Sequence, residues 1–264
     1  MEAAFGAAQT PAAQHPRLPH IAPGGRRETL TAGTLFIPQK LVRKKRMPLL
    51  VHFHGAAWVA ETAAAKDGRW AVVSVETGEG SEVYAQQFSD RALFGKMLSD
   101  ASRKTAIRFS PIVLSAWSAG YGAIREILEV PGYYRRVDKV LLIDGLHTGY
   151  GSGRPGAAEA ALEADRLEIF LKFARDSVAG HKTMVITHSE IVPGTFASTT
   201  ETADWLLAHL KLARRRVSRP GPMAMREVSE VRAGKFRLMG YAGSTAEDHV
   251  DQFESMPSLV RFLW

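Results

Sequence analysis

The chain has 264 residues, 45% of them hydrophobic, which is enough for one sizeable core. Cysteine is absent, which excludes disulfides, thiolate-held metals, iron–sulfur clusters and thiol nucleophiles. The formal charge of +7 comes from 34 basic and 27 acidic residues, and its clusters, Arg43-Lys44-Lys45-Arg46 and Arg214-Arg215-Arg216, lack interleaved aromatics or a nucleic-acid motif, so solvated faces are expected and no nucleic-acid partner.

Residues 1–26 read as a flexible N-terminal segment, and residues 27–264 as one domain. The start has neither the basic region nor the apolar core of a signal peptide, and no stretch is apolar enough to span a membrane, so a soluble protein is expected. It would be cytoplasmic, or exported with its signal removed. From residue 27 onward, short apolar or β-branched runs alternate with stretches of helical period. Strands are expected at 30–37, 49–54, 70–75, 112–116, 139–144, 183–187 and 236–241, several of them continuously apolar, as strands covered on both faces are. Helices are expected at 121–129, 157–178 and 201–212, with Thr199 or Thr200 as cap of the last, and a short closing helix at 256–264. The pattern is α/β: a mostly parallel central sheet flanked by helices on both faces, without a large lid domain. In such sheets ligands bind beyond the carboxyl ends of the strands, so chemistry is sought there.

The expected strand at 112–116 runs into Ala116-Trp117-Ser118-Ala119-Gly120, and a helix follows at once. A serine at so tight a strand-to-helix turn needs small residues two positions before and after it, and Ala116 and Gly120 supply them. The turn lifts the hydroxyl clear of the sheet and sets it at the positive end of the next helix, where the Ala119 N–H can face a developing oxyanion. On its own the short pattern fits an ordinary helix cap equally well. Ser115 lies within the strand and lacks the small flank. The segment resembles the nucleophile elbow of the α/β-hydrolase family, Gly-x-Ser-x-Gly, with Ala116 in place of the first glycine. That resemblance makes Ser118 the nucleophile.

The rest of the resemblance follows the strand ends. His54-Gly55-Ala56-Ala57-Trp58 is similar to the family's His-Gly-Gly loop, which implies the Ala56 or Ala57 N–H as second oxyanion donor beside Ala119; His54 itself reads as structural. The family order of nucleophile, acid and histidine puts His249, in a polar loop after the last strand, in the role of general base. Two carboxylates compete as the acid. Glu190, in Thr187-His188-Ser189-Glu190-Ile191-Val192-Pro193, lies where the family usually keeps it and is slightly favoured; Asp144, at the end of the preceding strand, holds the less common position.

Trp58, Trp117, Leu146, His147 and Tyr150 fall on loops at the same edge and are expected to line a substrate pocket, although each could equally be packing. His147, His181, His188 and His209 show no metal-ligand spacing, and the glycine-rich run 149–156 lacks a phosphate-loop lysine, so neither metal nor cofactor is expected. The expected activity is hydrolysis of a small-molecule ester through an acyl-enzyme. Amidase, peptidase and acyltransferase chemistry use the same residues, and a non-catalytic ligand-binding protein is the alternative from another class.

Overall fold

The computed structural model describes residues 15–41, 46–153 and 161–264. Arg43, Lys44 and Lys45, the end of the glycine-rich run and the start of the helix expected at 157–178 lie outside the described residues. The strands in chain order are β1 (Gly25–Thr29), β2 (Thr34–Pro38), β3 (Arg46–Phe53), β4 (Ala71–Val75), β5 (Arg108–Trp117), β6 (Val137–Ile143), β7 (Tyr150–Ser152), β8 (Ala161–Leu162), β9 (Thr183–His188), β10 (Arg215–Pro220), β11 (Arg226–Ala233) and β12 (Phe236–Tyr241). The helices are α1 (Ala57–Asp67), α2 (Ser81–Phe88), α3 (Leu93–Thr105), α4 (Tyr121–Glu129), α5 (Pro131–Arg136), α6 (Glu168–Val178), α7 (Thr199–Leu210), α8 (Ala246–Glu254) and α9 (Met256–Leu259).

Ten strands form one sheet in the order β1-β2-β4-β3-β5-β6-β9-β12-β11-β10, and β7 pairs only with β8. The run from β4 to β12 is parallel throughout, while β1, β2, β11 and β10 are antiparallel additions at the margins. Strand alternation divides the core. Leu49, Val51 and Phe53 of β3 join the apolar residues of α3, α4, α6 and α7, whereas Leu50 faces those of α1 and α9. Among the described residues there is no lid domain. After β3 the chain turns outward to β4, then crosses to β5 on the other side of β3. This reversal is the switch point at which open sheets part their connecting loops and leave a crevice.

The elements depart from the sequence reading where apolar pattern is weak. The strand expected at 30–37 is a hairpin of β1 and β2 turning at Gly33, whose φ is 77°; β1 is an exposed edge strand, so no hydrophobic alternation marks it. It begins at Gly25, before the expected boundary at residue 27. β10 is likewise exposed and arginine-rich. Its charge is answered from β11: Arg215 pairs with Glu230, and Arg219 with Glu227 and Glu230, each at 2.6 Å. The cap of α7 is Ser198 rather than Thr199 or Thr200, because only Ser198 has the extended dihedrals from which its hydroxyl can accept the Glu201 N–H, and the Glu201 carboxylate returns the bond. The expected helix at 157–178 starts only at Glu168, and the expected closing helix is α9 followed by a 3-10 turn at Val260–Leu263.

Candidate active site

β5 ends at Trp117 and breaks into a 3-10 turn, Ser118–Gly120, before α4. Ser118 has φ of 46°, a left-handed conformation costing a non-glycine residue about 1–2 kcal/mol. Its neighbours hold it there. A Cβ on Gly120 would meet the Phe53 carbonyl oxygen at 2.2 Å, and one on Gly145 would meet the Ser118 backbone N and O at 2.5 Å. Both glycines are therefore what lets β3 and the end of β6 close on the turn.

His249 stands in the first turn of α8, not in a loop. The run preceding it is polar, so its helical character was hidden, but Thr245 and Asp248 form a reciprocal capping box that starts the helix. Its Nδ1–H donates to Asp144 Oδ2 at 2.7 Å. Asp144 Oδ1 accepts the Ser189 N–H at 2.8 Å and the Thr199 hydroxyl at 2.7 Å, with the Ser189 hydroxyl at 3.1 Å. Asp144 is 1% exposed. Burial alone would raise its carboxyl, but the His249 bond and charge and the two hydroxyl donors outweigh it, leaving Asp144 below the ordinary carboxylate range. Ser189 and Thr199, which complete this shell, were read from sequence only as loop and helix cap.

Glu190, the carboxylate favoured by position in the chain, is not the one beside the imidazole. It is exposed, and its Oε2 accepts the Gly243 N–H at 3.2 Å, because the chain turns outward immediately after Ser189. On the other side of Ser118, Glu76 fastens the turn after β3, where His54 and Gly55 have φ of 68° and 96°. It accepts the Gly55 N–H at 2.6 Å and the Tyr84 hydroxyl at 2.6 Å, with His54 Nδ1 at 3.4 Å. Burial raises the Glu76 carboxyl, but the Tyr84 and Gly55 donors and the His54 charge together outweigh it, for a net fall. Ala56 is exposed and caps α1, while Ala119 lies in the turn beside Ser118.

Two clefts meet at Ser118. The larger, about 640 Å³, is lined by His54, Ser81, Val83, Ala119, Tyr121 and Arg166, among others. The smaller, about 280 Å³, is lined by Asp144, Ser189, Ile191, Pro193, Ala246 and His249, among others. His147 and Phe196 line both. Of the five residues expected in a pocket, only His147 lines either cleft. Leu146 is buried in the core, Trp58, in the first turn of α1, packs against His20, and the Tyr150 hydroxyl donates to Glu201 at 2.8 Å. Trp117 instead packs between His54, Phe253 and His249, at centroid distances of 5.2, 4.7 and 4.7 Å. Elsewhere, His15, Asp248 and Asp251 bring ligand-type atoms within 4.8 Å of one another, but His15 and Arg17 already bond Asp251 there.

No family model and no curated protein matches the chain. Solved structures do. A thermophilic esterase from Thermogutta terrifontis aligns over 91% of each chain at 15% identity with a TM-score of 0.52. Carboxyl esterase 2 from Tuber melanosporum aligns over 97% of this chain and 90% of its own, at 14% identity and the same TM-score of 0.52. With the sheet order and strand-end turns described above, these likenesses define the class: this chain has the α/β-hydrolase fold. No helix among the described residues is long and apolar enough to cross a membrane.

Proposed function

We propose that this protein is a serine hydrolase that cleaves small-molecule carboxylic esters, with Ser118 as nucleophile, His249 as base and Asp144 as the acid that orients it. The observation that carries the reading is the Asp144–His249 hydrogen bond opening onto the same cleft as a serine held at positive φ. Nδ1–H bonded to Asp144 leaves Nε2 as the basic nitrogen of the imidazole. Ser118 Oγ attacks the ester carbonyl carbon as its proton passes to His249 Nε2. The tetrahedral oxyanion is met by the N–H groups of Ala119 and Ala56. His249 returns the proton to the departing alkoxide as the ester C–O bond breaks, and water, deprotonated by the same nitrogen, releases the acid and frees Ser118.

The names of the two structural relatives support ester rather than amide substrates. The test is incubation with a fluorophosphonate and with short-chain p-nitrophenyl esters. The wild type is expected to gain one covalent adduct and release nitrophenol, and Ser118→Ala to do neither. Absence of labelling and turnover in the wild type overturns the reading and leaves a ligand-binding protein on this fold.

A further inference from the structure

We infer that the substrate is an ester of a bulky, uncharged acid with a short alcohol; this rests on the serine-hydrolase reading. A tetrahedral carbon on Ser118 Oγ has three further substituents, and the site assigns each a direction. The oxyanion must face the N–H of Ala119. The leaving oxygen must face His249, because that imidazole delivers its proton. The acyl group takes what remains. His249 lines only the smaller cleft, together with Asp144, Ser189 and Ala246; Ala119 and His54 line only the larger. The alcohol thus faces the smaller cleft, about 280 Å³ and just under the range that takes drug-sized ligands, and the acyl group faces the larger, about 640 Å³ and well inside it.

The walls refine the acyl group. Val83, which lines only the larger cleft, and Phe196, which lines both, are two of the large hydrophobic residues left exposed, at 40% and 41%. Exposed apolar side chains facing a concavity favour an apolar occupant. Among the described residues the only Lys or Arg of that lining, Arg166, is already matched by Glu82 and by Glu163, the latter at 3.3 Å, and Glu79 adds a further negative charge. An acyl group with a free carboxylate would meet net repulsion there.

Two isomeric esters test the assignment: ethyl 2-naphthylacetate, with bulk in the acid, and 2-(2-naphthyl)ethyl acetate, with the same bulk in the alcohol. The first is expected to have a kcat/KM at least about tenfold higher. Val83→Trp, which fills the larger cleft, is expected to bring the ratio close to about one. Equal or reversed preference in the wild type overturns the assignment, as does a ratio that Val83→Trp leaves unchanged, or an enzyme that labels with fluorophosphonate yet cleaves neither ester. Failure to label at all instead overturns the underlying serine-hydrolase reading, so the two failures are distinguishable.

Discussion

Trp117 holds His249 from two directions: the indole lies 4.7 Å from the imidazole at an interplanar angle of 32°, and its Nε1–H donates to the His249 carbonyl at 3.2 Å. The residue before Ser118, the proposed nucleophile, thereby fixes the start of the helix that carries His249, the proposed base. Trp117→Phe keeps an aromatic face but removes the donor. Steady-state kinetics are expected to show kcat lowered about 10- to 100-fold with KM little changed, as misplacement of a catalytic group does. An equal rise in KM would mean that Trp117 acts by binding substrate instead.

The two carboxylates at consecutive strand ends separate by substitution. Asp144→Asn is expected to lower kcat roughly 10³- to 10⁴-fold, since the amide favours the wrong imidazole tautomer, whereas Glu190→Gln, on an exposed side chain, should remain within about threefold of wild type. Comparable losses in both variants would contradict the geometry.

How far the sequence revealed this site depends on what each residue had to announce itself with. Ser118 was marked by a local pattern of strand, small residue and glycine, all within five positions of the chain. Asp144 and Glu190 could not be ranked, because the choice depends on which loop bends outward after its strand, and that is set by contacts with Thr199 and Gly243 some 50 residues away in sequence. The central strands were legible because burial on both faces demands continuous apolar runs. β1, β10 and α8 were not: β1 and β10 are exposed edge strands with no apolar alternation, and α8 opens on a capping box within a polar run. The pocket lining was hardest, since aromatic residues near a strand end pack inward or outward according to neighbours the sequence does not name.

Acid should destabilise the fold before most carboxylates titrate. Burial, followed by the charge of Arg214, pushes His188 down to about 4; its Nε2 accepts an Arg214 N–H at 2.5 Å, and a proton there would displace that donor. Burial likewise lowers His52, to about 3. In both cases the unfolded chain binds the proton more readily, so stability is complete above an unfolded histidine value of about 6.5 and falls as pH drops below it. The His188 contribution is on the order of 3 kcal/mol by pH 4. Asp144 has the opposite shift origin but the same outcome lower down: its stabilisation is full above about pH 4 and is lost as pH falls through its depressed native value. Urea unfolding between pH 7 and 4 should show this decline, and His188→Gln should flatten it in part. A wild-type stability independent of pH across that range would disprove the assignment.

Residues ahead of the sheet brace the same helix. Asp251 of α8 is 2% exposed and is bonded by His15 Nδ1 at 2.6 Å and by Arg17, while the Leu18 N–H donates to Glu254 at 2.7 Å. Arg17 is itself well exposed, which discounts its charge, so the double variant His15→Ala/Arg17→Ala is expected to lose about 1–3 kcal/mol through the buried carboxylate left behind. Activity should decline with it; thermal unfolding and kinetics measured on one preparation would show whether the two losses go together.

The bracing contacts join positions 234 to 236 residues apart in sequence. Closing so long a loop carries an entropic cost that local contacts do not. The bracing of α8 is thus complete only when residues 15–18 and the end of that helix meet. During refolding, recovery of sheet signal is therefore expected to run ahead of recovery of turnover, and a chain still lacking α8 lacks His249 and is expected to show no turnover.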